Sequence, residues 1–132
     1  MVIITKDIKS VFEKSTIAFA TVDQNYFPNT IAVADCKVVS DNQVLITDNF
    51  MNKTRQNLDI NQKVSLSFWT SDENCQAFQF KGHASVFIDG DWKKNVDQDP
   101  ANAGLAHKAA ILVTVTEIWD LANPKLICSE KL

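Results

Sequence analysis

"NFMNKTRQNL", residues 49–58, lies where one apolar strand-like run stops and another is about to begin. Upstream, "QVLIT" (43–47) ends at Thr47. Downstream, "KVSLSFW" (63–69) sets Val64, Leu66 and Phe68 against Ser65 and Ser67, the two-residue alternation of a half-buried strand. Between them, "NKTRQNLDINQ" (52–62) reads as a short helix and its exit. A lysine and a threonine side by side at the start of such a helix offer a phosphate three things: a positive charge, a hydroxyl donor and the free backbone N–H groups of the first turn. The helix dipole adds a small favourable term, typically under ~1 kcal/mol when exposed. The same residues also fit a plain surface helix capped by Asn52 or Thr54, with Lys53 in water, and the local pattern does not decide between the two.

Working outward, most of the chain reads as strand. Thr5 is a candidate N-cap for a helix over "KDIKSVFEK" (6–14), where Ile8, Val11 and Phe12 fall at helical spacing. "TIAFATV" (16–22) is followed by the polar turn "DQNYFP". "NTIAVADCKVV" (29–39) and "QVLIT" flank "SDN", a hairpin loop. "QAFQFKGHASVFI" (76–88) puts Phe78, Phe80, Gly82, Ala84, Val86 and Ile88 on one face. "GDWKKNVDQDPANAGLAHKAA" (90–110) is a polar, helical interruption that Pro100 breaks or restarts. "ILVTVTEIWDL" (111–121) is a last long strand, and "ANPKLICSEKL" (122–132) has no firm assignment. Six strands joined mainly by short turns, with one or two small helices, point to a mainly β antiparallel barrel that removes most bare edges. So many apolar strand faces on a short chain also point to a second copy covering one of them.

Composition bounds the rest. At 132 residues the chain reads as one domain, 1–132, long enough to bury a core without disulfide or metal staples. Its 13 basic and 16 acidic side chains give a net charge of −3, which argues against a broad nucleic-acid surface. Arg55 is the sole arginine, so a multi-arginine phosphate clamp is excluded. "MVIITKDIKS" does not read as a signal peptide, and no window approaches the ~20 apolar residues of a membrane span. Cys36, Cys75 and Cys128 are odd in number and far apart, as expected of reduced thiols in a cytoplasmic protein.

Several chemistries find no support in the pattern. The three glycines are scattered, so there is no glycine-rich phosphate loop. His83 and His107 are isolated along the sequence, and no catalytic residue can be named. "DGDWKKNVDQD" (89–99) lacks the spacing of a calcium loop and reads as a solvated helix start; no metal site is expected. Trp69, Trp92 and Trp119 fit burial in a core or interface better than stacking on a ligand.

The ordered set "TIAFATVD…FPNTIAVADCKVVSDNQVLITDNFMNKTRQNLDINQKVSLSFW…FQFKGHASVF", resumed at "ILVTVTEIWDL", resembles the pyridoxamine-5′-phosphate-oxidase-like family of FMN-binding split barrels, and in particular its small single-domain members. The resemblance implies a six-stranded antiparallel split barrel with FMN as cofactor. It implies that Lys53 and Thr54 hold the FMN phosphate, that the strand of Thr30, Ile31, Ala32 and Val33 runs alongside the flavin, and that Thr47, Asp48 and Asn49 contact the ring system. Asn52 stands where larger relatives often carry a basic residue. Relatives place the flavin at a homodimer interface, which makes Trp119 a candidate contact from the other chain. FMN, a dianionic phosphate on a chain ending in a flat apolar ring, suits such a site, and a bound flavin carries the redox chemistry itself. No arginine follows Arg55 to hold a second phosphate, so pyridoxamine phosphate is not the expected substrate. The expectation is an FMN-dependent oxidoreductase or electron-transfer protein working with a small redox substrate or a redox partner protein. The alternatives are a non-catalytic split-barrel module binding haem, a deazaflavin or nothing, and an interaction barrel.

Overall fold

Thr5 opens the first helix, as its spacing predicts: its Oγ1 accepts the Ile8 N–H at 3.4 Å, and α1 (Lys6–Lys14) turns Ile8, Val11 and Phe12 into the core. The computed structural model describes residues 1–130. After α1 come β1 (Ile17–Val22), β2 (Pro28–Val33), β3 (Cys36–Ser40), β4 (Gln43–Asp48), α2 (Lys53–Ile60), β5 (Lys63–Trp69) and β6 (Ala77–Phe87). They are followed by α3 (Gly90–Gln98), a 3-10 turn that Pro100 starts, β7 (Ala109–Asp120) and β8 (Lys125–Ser129). The strands form one antiparallel, curled sheet in the order β2-β1-β5-β6-β7-β4-β3, with β8 also on β7. The mainly β split-barrel reading therefore holds, with eight strands in place of six.

Both extra strands have a local cause. The run 29–39 breaks at Ala34-Asp35, where Cys36 N–H turns back to Ala34 O (3.0 Å) and Thr47 N–H takes Asp35 O (3.0 Å). That bend sends β3 into a hairpin with β4, while β2 stays on β1. β8 arises because β4 covers only the Ala109–Thr114 half of β7; Leu126 and Cys128 complete the edge left by the other half, opposite Trp119 and Ile118. The last two positions of the tail lie outside the described residues.

Phe12, Phe68 and Phe80 meet at ring-centroid distances of 4.9–5.7 Å at the centre of the core, with Phe78 against Phe68. Gly82 is buried where β7 bulges past β6, and its bare Cα lies against the Thr114 carbonyl. Ile88, expected on the same core face, is 67% exposed because β6 ends at Phe87 and α3 begins three residues later, at Gly90. Trp69, at the end of β5, is exposed rather than buried within this chain. No helix among the described residues is long and apolar enough to cross a membrane.

Candidate functional site

β2, the end of β4 and the start of α2 converge on a cleft of about 470 Å³. Ile31, Ala32, Val33, Thr47, Asn49, Asn52, Lys53 and Thr54, all expected site residues, line it. Asn29, Asp35, Phe50, Met51 and Leu105, which the sequence did not single out, line it as well. The volume lies in the range of small-molecule and cofactor sites, roughly 300–1,000 Å³.

One end of the cleft is the mouth of α2. Asn52 occupies the N-cap position, but its side chain makes no capping bond; its Oδ1 accepts from Gln56 Nε2 (3.2 Å) instead. Gln56 N–H makes the first intrahelical bond, to Asn52 O at 3.1 Å. Among the described residues, the amides of Lys53, Thr54 and Arg55 have no partner. Thr54 does not cap the helix either. It is 1% exposed, and its Oγ1 accepts from Asn29 Nδ2 at 3.2 Å, which leaves the hydroxyl hydrogen free to donate. Lys53 stands exposed beside it. The plain capped-helix reading of "NKT" thus loses both of its caps, and the cleft end presents a cation, a hydroxyl donor and unpaired amides together.

Asp48 lies off the cleft wall. Its carboxylate is 0% exposed and faces inward, accepting Met51 N–H (2.9 Å) on Oδ1 and Arg55 Nη1 (2.7 Å) on Oδ2. Lys108 adds a second cation, with Nζ 3.7 Å from Oδ1 and donating to Met51 O at 2.9 Å. Asp48, expected at the ring end, does not line the cleft; its carboxylate fixes the turn that leads into α2.

At the far end of β2, Asn49 is held from two sides. Its Oδ1 accepts His107 N–H (2.8 Å), and its Nδ2 donates to Asp35 Oδ2 (2.9 Å). The neighbouring Cys36 thiol is pushed up to about 12, first by burial and then by the Asp35 charge, so it stays protonated at neutral pH and offers no thiolate nucleophile. His107 is not isolated in space: its Nδ1 is 2.7 Å from Asp97 Oδ1. Hydrogen bonding from Lys93, foremost, and from His107 holds the Asp97 carboxyl below its usual range.

Thr30 does not line the cleft, although Ala32, on the same face of β2 by strand alternation, does. Trp119 is in the distal half of β7, paired with Gln79 and Leu126, and its indole N–H donates to Glu117 Oε2 at 3.1 Å. It stands ten residues beyond Ala109, roughly 33 Å along an extended strand, and does not meet the cleft within one chain.

The residues present fit FMN. The partnerless amides at α2, with Lys53 and the free Thr54 hydrogen, suit a phosphate, and the apolar wall of Ile31, Val33 and Met51 suits a flat ring.

The model of the family described as Pyridoxamine 5'-phosphate oxidase matches residues 4–122. An uncharacterised protein of Methanocaldococcus jannaschii is 33% identical over 124 residues, covering 91% of this chain and 82% of that one. Among solved structures, HupZ of Group A Streptococcus matches with a TM-score of 0.85 at 21% identity, over 94% of this chain and 98% of its own. An FMN-binding protein from Syntrophomonas wolfei subsp. wolfei matches with a TM-score of 0.72 at 17% identity, over 86% of this chain and 82% of its own. At these identities the structural likeness speaks for the fold, while the sequence match spans nearly the whole chain. By that match, this chain belongs to the pyridoxamine 5'-phosphate oxidase family.

Proposed function

We propose that the chain, as one domain, binds FMN in the cleft between β2 and α2 and serves as a flavin-dependent oxidoreductase or electron carrier. The observation that carries this reading is the uncapped start of α2. Three partnerless amides, Lys53 and the Thr54 hydroxyl open onto one end of a cleft whose long wall is apolar. In this reading Lys53 and Thr54 hold the phosphate, and Ile31, Ala32 and Val33 pack along the ring. Among the described residues β2 pairs only with β1, so the backbone groups on its other edge are available to a ligand or to a second chain. When bound, FMN supplies the electron-transfer chemistry, and the protein supplies position and access.

The substrate is not pyridoxamine phosphate in this reading. A second phosphate needs a second cationic clamp, and Arg55, the sole arginine, is committed to Asp48. A homodimer completes the site. Tyr26, Phe27 and Phe50 are 83%, 72% and 79% exposed around the cleft and at the start of its β2 wall, and two-fold pairing is the commonest way to cover such a face. Trp119 reaches a cleft only across such an interface.

Titrating the cofactor-free protein with FMN, following flavin fluorescence and absorbance, tests the proposal. Saturable binding of one FMN per chain is the expected result. A flavin signal that stays that of free FMN at a large excess of protein overturns it.

A further inference from the structure

We infer that Asp35 is the specificity-determining residue for the ring end of the ligand, its carboxylate accepting a hydrogen bond from the imide N–H on the polar edge of the flavin. This inference rests on the FMN reading above and adds a residue that the sequence did not single out.

The cleft has a direction. Asn29, bonded to Thr54, marks the phosphate end of β2, and Asp35 follows the other end of the same strand. Six residues of extended chain separate them, at most about 20 Å, ample for a ligand that carries a phosphate at one end and a tricyclic ring at the other. At the far end of that wall Asp35, Asn49 and Thr47 bring polar side chains, and the Thr47 hydroxyl oxygen already accepts from Asn102 Nδ2.

The carboxylate is pre-set. His107 N–H donates to Asn49 Oδ1, which forces the Asn49 amide nitrogen toward Asp35, where it donates to Oδ2. Asp35 O is in turn tied to Thr47 N–H. Backbone and one carboxylate oxygen are fixed, and no hydrogen bond to Oδ1 is found among the described residues. An acceptor held in a cleft wall asks for a donor. The flavin ring has two long ends. The methylated benzenoid end has no donor, whereas the pyrimidine end has one N–H between two carbonyl oxygens. A carboxylate facing the carbonyls or the methyl groups would be desolvated without compensation, so the imide N–H is the matching group. Polar Asp35 and Asn49 then meet the polar edge, while Phe50, Met51 and Leu105 are left for the apolar remainder.

The test compares FMN with 3-methyl-FMN, which keeps phosphate and ring but replaces the imide hydrogen with a methyl group. Both are titrated into wild type and Asp35→Ala. Wild type should prefer FMN by roughly 10- to 150-fold, the range for a hydrogen bond to a charged acceptor. In Asp35→Ala the two ligands should bind within a few-fold of each other. Equal binding of both by wild type overturns the inference. So does a preference for FMN that survives in Asp35→Ala, since the methyl group is then rejected by something else. If Asp35→Ala does not fold, the near-isosteric Asp35→Asn takes its place, with a preference reduced but not abolished; an unchanged preference counts against the inference. Wild type that binds FMN tightly but ignores the methyl group leaves the FMN reading standing and removes only the role of Asp35. Wild type that binds neither removes both.

Discussion

The Asp48 carboxylate, fully buried, meets the Arg55 guanidinium at 2.7 Å and so commits the only arginine of the chain to its own scaffold. Asp48 ends β4, and Arg55 lies in the first turn of α2. With Met51 N–H on the other carboxylate oxygen, the pair sets the angle at which α2 leaves the sheet, and hence where Lys53 and Thr54 stand. Removing one partner of a fully buried pair typically costs about 3–5 kcal/mol; the Arg55 side chain is 27% exposed, which places this pair toward the lower end. Asp48→Ala should therefore lower the unfolding free energy by about that amount in urea melts, with the m-value unchanged. Arg55→Lys should not restore wild-type stability, because an ammonium group does not reproduce the planar guanidinium contact. A stability loss below about 1 kcal/mol for Asp48→Ala would show the pair to be energetically idle.

Gly82 supports the fold at a different point. A Cβ there would run into the Thr114 carbonyl and come within 3.2 Å of Val113 Cγ1, both on the neighbouring strand β7. The obstacle is backbone, which cannot swing aside. Gly82→Ala should cost at least the ~1–3 kcal/mol typical of overpacking. Gly104→Ala provides the contrast: nothing crowds its side chain, and its penalty comes from φ of +79° instead. Thermal melts of the two variants should rank Gly82→Ala as the less stable.

Much of this was legible in the sequence, and the gaps have physical causes. The alternation in 63–69 and the Thr5 cap gave β5 and α1, because period and capping chemistry are local properties. The break in 29–39 was hidden: Ala34-Asp35 carries no Gly or Pro, and the bend is made by Thr47 reaching Asp35 O from another strand. The same bend brings Asp35 into the cleft, so missing one meant missing the other. The inward turn of Asp48 was hidden for a related reason. Its position at a strand end is local, but the inward turn of its carboxylate depends on Arg55 and Lys108, seven and sixty residues away along the chain.

The dimer gives a third prediction. Tyr26 and Phe27 project from the β1–β2 turn, and Phe50 from the β4–α2 turn, all more than two-thirds exposed; Phe50 lines the cleft, and Phe27 lies with Lys53 beside the start of α2. Sedimentation equilibrium should give twice the 14.8 kDa of one chain. Phe27→Glu should shift the protein toward monomer and weaken FMN binding in parallel, as expected if the proposed dimer completes the site. A chain that sediments as a monomer at all accessible concentrations rejects this.

Thr54→Val tests the hydroxyl. The substitution keeps the buried shape of Thr54 but removes both the donor toward a phosphate and the acceptor for Asn29 Nδ2. A hydroxyl donating to a charged phosphate falls at the lower end of the about 1.5–3 kcal/mol of bonds to charged groups, so FMN affinity should fall roughly 10-fold. Thr54→Ser, which retains the hydroxyl, should bind FMN close to wild type. Equal losses in Val and Ser variants would trace the effect to packing at the buried methyl group rather than to the hydroxyl.

Lys53→Ala tests the phosphate end most directly. Lys53 is exposed and takes part in no ion pair among the described residues, so its loss should leave the melting temperature nearly unchanged. Its charge is the one most directly placed to meet a phosphate at the mouth of α2, since Arg55 is held by Asp48 and Lys108 points to Met51 O and Asp48. A charge-assisted hydrogen bond to a phosphate is worth about 1.5–3 kcal/mol, so FMN should bind roughly 10- to 150-fold more weakly. Riboflavin carries the same ring without the phosphate, and its affinity for wild type and Lys53→Ala should be the same. The contrast separates a phosphate contact from a general disturbance of the cleft. A variant that loses both flavins alike has damaged the ring wall, and one that loses neither leaves Lys53 a solvated surface lysine. Fluorescence titrations of both proteins with both flavins give the four affinities needed to decide.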